Sequence, residues 1–102
     1  MYKRQALAAC FPAGSMTGAP KIRAMEILQE LEAAPRDIYS GAMGYLGFDG
    51  SADFGMTIRT LVFEGNSATI GIGGGITIDS DPESEFEETM LKSKALLQAL
   101  GG

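Results

Sequence analysis

Glycine-containing turns cut the stretch from Tyr39 to Gly75 into short apolar runs, and this punctuation restricts what the chain can become. The runs "YSGAMGYLGF", "FGMTIRTLVF" and "ATIGIGGGI" are separated by "DGSAD" and "EGNS", so strand-forming segments alternate with turn-forming ones. Three short strands are predicted, and such tight connections favour antiparallel neighbours. In "MTIRTLVF", strand alternation puts Met56, Ile58, Thr60 and Val62 on one face and Thr57, Arg59, Leu61 and Phe63 on the other. Arg59 then projects from a largely apolar strand, where a guanidinium requires an anion because an unpaired buried charge is costly.

Two helices flank these strands. In "SMTGAPKIRAMEILQELEAAP", Ala24, Ile27, Leu28 and Leu31 recur at i, i+3, i+4 and i+7. With Thr17 as N-cap, Pro20 in the first turn and Pro35 as a stop, a helix is predicted near residues 18–33. The second helix begins in "DSDPESEFEETMLKSKALLQAL", where Asp81 is a good N-cap, Pro82 suits the first turn and the acids favour the positive helix end. Phe86, Met90, Leu97 and Leu100 form its predicted core-facing stripe. Glu85, Glu88 and Lys92 share a different face, within roughly 60° of one another. The predicted class is α+β, with antiparallel strands between an N-terminal and a C-terminal helix.

Composition narrows the chemistry. A chain of 102 residues holds one core at most, as a small domain or part of a larger one. A net charge of -5 and the absence of any long Lys/Arg run argue against nucleic acid and anionic membranes as partners. One cysteine, Cys10, permits no internal disulfide, and a sequence without histidine lacks the usual ligand for zinc and the base of a Ser-His-Asp triad. No apolar run approaches the roughly 18 residues of a membrane span. "LAAC" at residues 7–10 resembles a lipobox, but only Ala6 to Ala9 precede Cys10, too few for the apolar region of a signal peptide. Cytoplasm is the expected compartment.

Several residues remain as candidates for chemistry, each with a plainer alternative. The consecutive Gly73, Gly74 and Gly75 let a carboxylate or phosphate reach backbone N–H donors, or they mark a strand end or bulge. Glu85 and Glu88, at i and i+3, can face one hard cation such as Mg²⁺, or form a solvated acidic turn with a Glu88–Lys92 ion pair worth a few tenths of a kcal/mol. Arg59 is a ligand clamp or a salt-bridge partner, and Tyr39 a polar contact or a core residue with a polar tip. Taken together, the donors (Gly74, Gly75, Arg59, Lys92) and the carboxylates (Glu85, Glu88) suggest a small dianionic substrate held partly through Mg²⁺.

These residues lie in segments that resemble a known family. "FPAGSMTGAPKIRAMEILQELE", "YSGAMGY", "FGMTIRTL", "GGGITIDSDPESEFEET" and "LKSKALL" are similar to consecutive motifs of the chorismate-utilising enzymes, which include anthranilate synthase component I, aminodeoxychorismate synthase component I and the isochorismate and salicylate synthases. The resemblance covers residues 6–102, and residues 1–5, "MYKRQ", read as a non-native leader. It implies a C-terminal portion of the chorismate-binding catalytic domain, with the upstream part of that domain as its partner. By motif, it implies Glu88 as a direct Mg²⁺ ligand and Glu85 as holder of the metal's water shell, with Lys92 assisting. It also implies that Arg59 and Tyr39 grip the enolpyruvyl carboxylate of chorismate, that the Gly74 and Gly75 amides donate to substrate, and that Ser15 and Thr17 line the ring side of the pocket.

Within the family, "GSMTGAPK", "YSG" and "DSDP" are more similar to aminodeoxychorismate synthase component I than to anthranilate synthase, and the lysine after "TGAP" speaks against the isochorismate synthases. The implied activity is amination of chorismate with ammonia from a glutamine amidotransferase subunit or domain, a transferase/lyase step of folate biosynthesis. The alternatives are an anthranilate synthase component I fragment of tryptophan biosynthesis and a non-catalytic dicarboxylate/Mg²⁺-binding module. The 102-residue chain by itself is expected to be inactive.

Overall fold

The computed structural model describes residues 2–101, so Met1 of the predicted leader and the terminal Gly102 lie outside the described residues. The chain divides into two units, Met1–Thr57 and Ile58–Gly102. The class is α+β, as expected, with helices and antiparallel strands in both halves of the sequence.

The first unit contains α1 (Lys3–Cys10), α2 (Gly14–Thr17), α3 (Lys21–Leu31), β1 (Ala42–Leu46) and β2 (Ala52–Met56). The predicted helix over 18–33 is shorter at both ends. Thr17 closes α2 rather than capping α3, its hydroxyl donating to the Ala13 carbonyl at 3.3 Å. Gly18, at φ 111°, separates the two helices with a torsion that residues carrying a side chain rarely adopt. Pro20 takes the extended N-cap position of α3, one step before the first turn. At the other end Glu32 is extended and directs its carboxylate to Arg36, so the helix stops before Pro35 is reached. The apolar stripe of α3 is also less covered than its periodicity predicts. Ala24 and Leu28 are half-buried, whereas Ile27 and Leu31 are exposed.

Strands β1 and β2 pair antiparallel from Ala42↔Met56 to Leu46↔Ala52. The connecting turn is held by Gly47 N–H to the Ser51 carbonyl at 2.8 Å and by the Asp49 carboxylate, which accepts from the Ser51 amide and hydroxyl. Gly44 admits no side chain, because a Cβ there would overlap the Asp53 carbonyl and the Phe54 ring. At the open end, Ser40 donates to the Thr57 carbonyl while Thr57 donates to the Gly41 carbonyl. Two residues thus face one across the ladder, and Ser40 has φ 68°, the geometry of a β-bulge with its first residue left-handed.

The second unit contains β3 (Leu61–Glu64), β4 (Ser67–Ile70) and α4 (Pro82–Ala99). Four strands in two separate hairpins replace the three predicted, because the run "FGMTIRTLVF" is interrupted between Met56 and Leu61. Arg59 has φ 50° in that interruption and is exposed. The alternation predicted through it therefore does not form, and the guanidinium is exposed rather than buried in an apolar strand. The β3–β4 turn falls at Gly65-Asn66, as "EGNS" predicts, with Gly65 at φ 59° where a two-residue hairpin needs a positive torsion.

Helix α4 starts where the sequence places it. Pro82 is its first residue, and the Asp81 carboxylate accepts from the Ser84 amide at 2.9 Å. Its buried face differs from the predicted one, for Phe86, Met90, Leu97 and Leu100 are 65, 48, 46 and 44% exposed. The covered stripe is Glu85, Thr89, Lys92, Ser93 and Leu96, spaced i, i+4, i+7, i+8 and i+11. Periodicity finds the apolar stripe, but Gly74, lacking a side chain, lies against the polar one. Among the described residues no apolar side chain is fully buried, and the buried positions are the hydroxyl residues Ser40, Thr57 and Ser93.

Candidate functional site

Gly74 is the point where the second unit assembles predicted site residues. A Cβ at Gly74 would stand 3.3 Å from Glu85 Oε2, 3.5 Å from Thr89 Oγ1 and 4.0 Å from Lys92 Nζ. Thus a carboxylate, a hydroxyl and an ammonium from successive turns of α4 converge on bare backbone. Lys92 Nζ is also 2.7 Å from Glu88 Oε1, an i, i+4 pair that draws the second carboxylate to the rim of the cluster. Glu85 and Lys92 are half-buried and Glu88 is exposed. Gly75 has open space where a side chain would be, leaving its backbone approachable.

The arrangement can receive an anion at the Lys92 ammonium and the glycine backbone, and a hard cation at the two carboxylates. No group of three or more His, Cys, Asp or Glu side chains with metal-binding geometry occurs among the described residues. Two α4 carboxylates nonetheless match the chemistry of Mg²⁺, which commonly takes one or two protein carboxylates and keeps several waters. Thr89 joins this cluster without being marked by the sequence as a candidate. Its spacing, four after Glu85 and three before Lys92, places it on their shared face, but only the seating of Gly74 against α4 shows that this face is occupied.

The remaining predicted residues lie elsewhere. Thr17 and Tyr39 line one groove of about 820 Å³ in the first unit, with Phe11, Met25, Leu28 and Arg36 among its walls. Tyr39 is half-buried and its ring lies beneath the Arg36 guanidinium, 5.8 Å from carbon to centroid. Ser15 is exposed on α2. Arg59, exposed between β2 and β3, has no carboxylate within ion-pair distance among the described residues.

Arg36 was not singled out by the sequence and is the most connected side chain of the first unit. Its Nη1 donates to the Met16 carbonyl at 2.7 Å and to Ser40 Oγ at 2.9 Å, while Nε and Nη2 hold the Glu32 carboxylate at 2.9 and 2.5 Å. This hydrogen-bonded pairing holds Glu32 below the usual carboxylate range and raises Arg36, against the opposing effect of partial burial.

The sequence model of the family described as chorismate binding enzyme matches residues 2–98. The chain belongs to this family. It is 53% identical over 95 residues to anthranilate synthase component 1 of Methanothermobacter marburgensis, an alignment that covers 93% of this chain and 21% of that protein. It is also 53% identical over 95 residues to anthranilate synthase component 1 of Bacillus subtilis, covering 93% of this chain and 18% of the relative. Aminodeoxychorismate synthase of Streptomyces pristinaespiralis is 49% identical over 96 residues, covering 94% of this chain and 13% of that protein. The chain therefore spans about a fifth or less of the length of these relatives. As a member of the chorismate-binding family it carries the Gly74 cluster and the Thr17–Tyr39 groove inside the matched region.

Proposed function

We propose that this chain is part of the catalytic subunit that aminates chorismate. Ammonia drawn from glutamine by an amidotransferase subunit or domain replaces the substrate hydroxyl with loss of water, giving 4-amino-4-deoxychorismate for para-aminobenzoate and folate synthesis. The observation that carries this reading is the seating of Gly74 against Glu85, Thr89 and Lys92 in a chain matched almost throughout by the chorismate-binding family. In this reading Glu88 ligates Mg²⁺ and Glu85 holds its water shell. When bound, Mg²⁺ supplies a Lewis acid that anchors the ring carboxylate and offsets charge on the departing oxygen. Lys92 keeps an ammonium beside Glu88 and facing Gly74, where it adds a positive charge to the amides that meet the substrate. The Gly74 and Gly75 amides donate to the substrate, Arg59 and Tyr39 grip its enolpyruvyl carboxylate, and Ser15 and Thr17 line the ring side.

The choice of product rests on "GSMTGAPK", "YSG" and "DSDP", the segments more similar to aminodeoxychorismate synthase. A second reading, synthesis of anthranilate, is supported by 50–53% identity to proteins named anthranilate synthase component 1, a range that meets the 49–50% for those named aminodeoxychorismate synthase. Analysis of the aminated product separates the two.

Kinetics test the site itself. In a complete family member carrying this segment, Glu88→Gln abolishes Mg²⁺-dependent turnover, and Arg59→Ala raises KM for chorismate at least tenfold. Arg59→Lys is also damaging, because lysine lacks the two-pronged donor geometry that matches a carboxylate. Near-normal kinetics in all three variants would contradict the assignment.

A further inference from the structure

The two segments of the first unit assigned to substrate, "GSMTG" and "YSG", are far apart in sequence, and each is short. Helix α2 has four residues and no side-chain cap at its start. The turn at residues 37–40 has left-handed torsions at Asp37 (53°) and Ser40 (68°), positions where a residue with a side chain needs its surroundings to hold it. One side chain reaches both segments. Arg36 Nη1 donates to the carbonyl of Met16, which lies between Ser15 and Thr17, and to the hydroxyl of Ser40, which follows Tyr39. Its Cζ lies over the Tyr39 ring, 5.8 Å from the centroid, and its Nε and Nη2 donors are held by the Glu32 carboxylate at the end of α3.

We infer that Arg36 is a positioning residue for substrate binding, a fork that fixes the Ser15–Thr17 segment and Tyr39 to the end of α3 and so to each other. This rests on the proposed chorismate site and adds to it a residue that meets no substrate atom. The guanidinium has little donor capacity left for a ligand, since Nε, Nη1 and Nη2 are all engaged with Glu32, Met16 or Ser40. Its plane and five donors explain why the position needs arginine: a lysine can satisfy one of these acceptors but cannot cover the ring and bridge three sites at once. Because Arg36 acts through groups that bind, its loss weakens binding of substrate and transition state alike, which raises KM and leaves kcat nearly unchanged.

The test uses a complete family member carrying this segment, with Arg36→Lys and Tyr39→Ala made singly and together. Arg36→Lys raises KM for chorismate about tenfold with kcat within about threefold of the parent, and the effect shrinks to less than about threefold when Tyr39 is already alanine. Such non-additivity marks action through Tyr39 and is not produced by general loosening. A parental KM in Arg36→Lys, or equal Arg36→Lys effects with and without Tyr39, would overturn the inference. Should Arg36→Lys not fold, Glu32→Gln and Ser40→Ala each remove one anchor and keep the arginine. Each then raises KM about two- to fivefold, and unchanged KM in both overturns the inference equally. If Tyr39→Ala itself leaves KM unchanged, it is the reading of Tyr39 as a substrate contact that fails. A raised KM there with a silent Arg36→Lys sinks the positioning role alone.

Discussion

At Gly74 the constraint is space, since no left-handed torsion requires glycine there and three polar side-chain ends crowd the position a Cβ would take. The closest approach, 3.3 Å to Glu85 Oε2, obliges that flexible carboxylate to give by a few tenths of an ångström. Gly74→Ala is accordingly expected to change unfolding free energy by no more than about 0.5 kcal/mol, while lowering chorismate affinity at least tenfold in a complete family member, measured by calorimetry. Unchanged affinity would show that backbone access at Gly74 is not used. The glycine run and the carboxylates were legible as candidates because their chemistry is written in residue type. Thr89 and Arg36 were not, for their roles depend on which distant backbone arrives beside them. Arg59 was legible as a special residue, but its setting was misread, because alternation assumes a continuous strand and the chain turns left-handed there.

The termini of elements follow local rules more faithfully than their faces. Asp81 and Pro82 specify the start of α4 through hydrogen bonding and a fixed torsion within one turn, so the sequence reading and the structure agree. The Gly65-Asn66 turn was readable for the same local reason. By contrast, the buried face of α4 is set by Gly74 across from it, which periodicity does not encode. The Ser84 amide holds the Asp81 carboxyl below the usual carboxylate range, and Ser51 does the same for Asp49. A carboxyl depressed in the folded state contributes stability that is present above its unfolded value and lost as pH falls through the folded one. Helical circular dichroism of a complete family member is therefore expected to decline on acidification below about pH 4, and Asp81→Ala to remove part of that dependence. An identical acid transition in Asp81→Ala would rule out the cap as a contributor.

For the whole molecule, exposed area is the decisive quantity. On both long helices the apolar stripe is uncovered, at Ile27 and Leu31 on α3 and at Phe86, Met90, Leu97 and Leu100 on α4. Exposed apolar surface of this extent favours association and leaves too little burial for cooperative folding. The isolated chain is expected to self-associate or to melt without a cooperative transition, as ultracentrifugation and calorimetry would register. A monomer with a single sharp two-state transition would contradict that expectation and favour an autonomous binding module.

In the proposed site the Glu85 and Glu88 carboxylates of α4 hold the metal beside the glycine backbone. Calorimetric titration of Mg²⁺ into a complete family member carrying this segment, in the presence of chorismate, measures it directly. Saturable binding in the parent and at least tenfold weaker binding in the Glu85→Gln/Glu88→Gln double variant is the predicted result. Equal affinity in the two proteins would contradict the account and place the metal elsewhere.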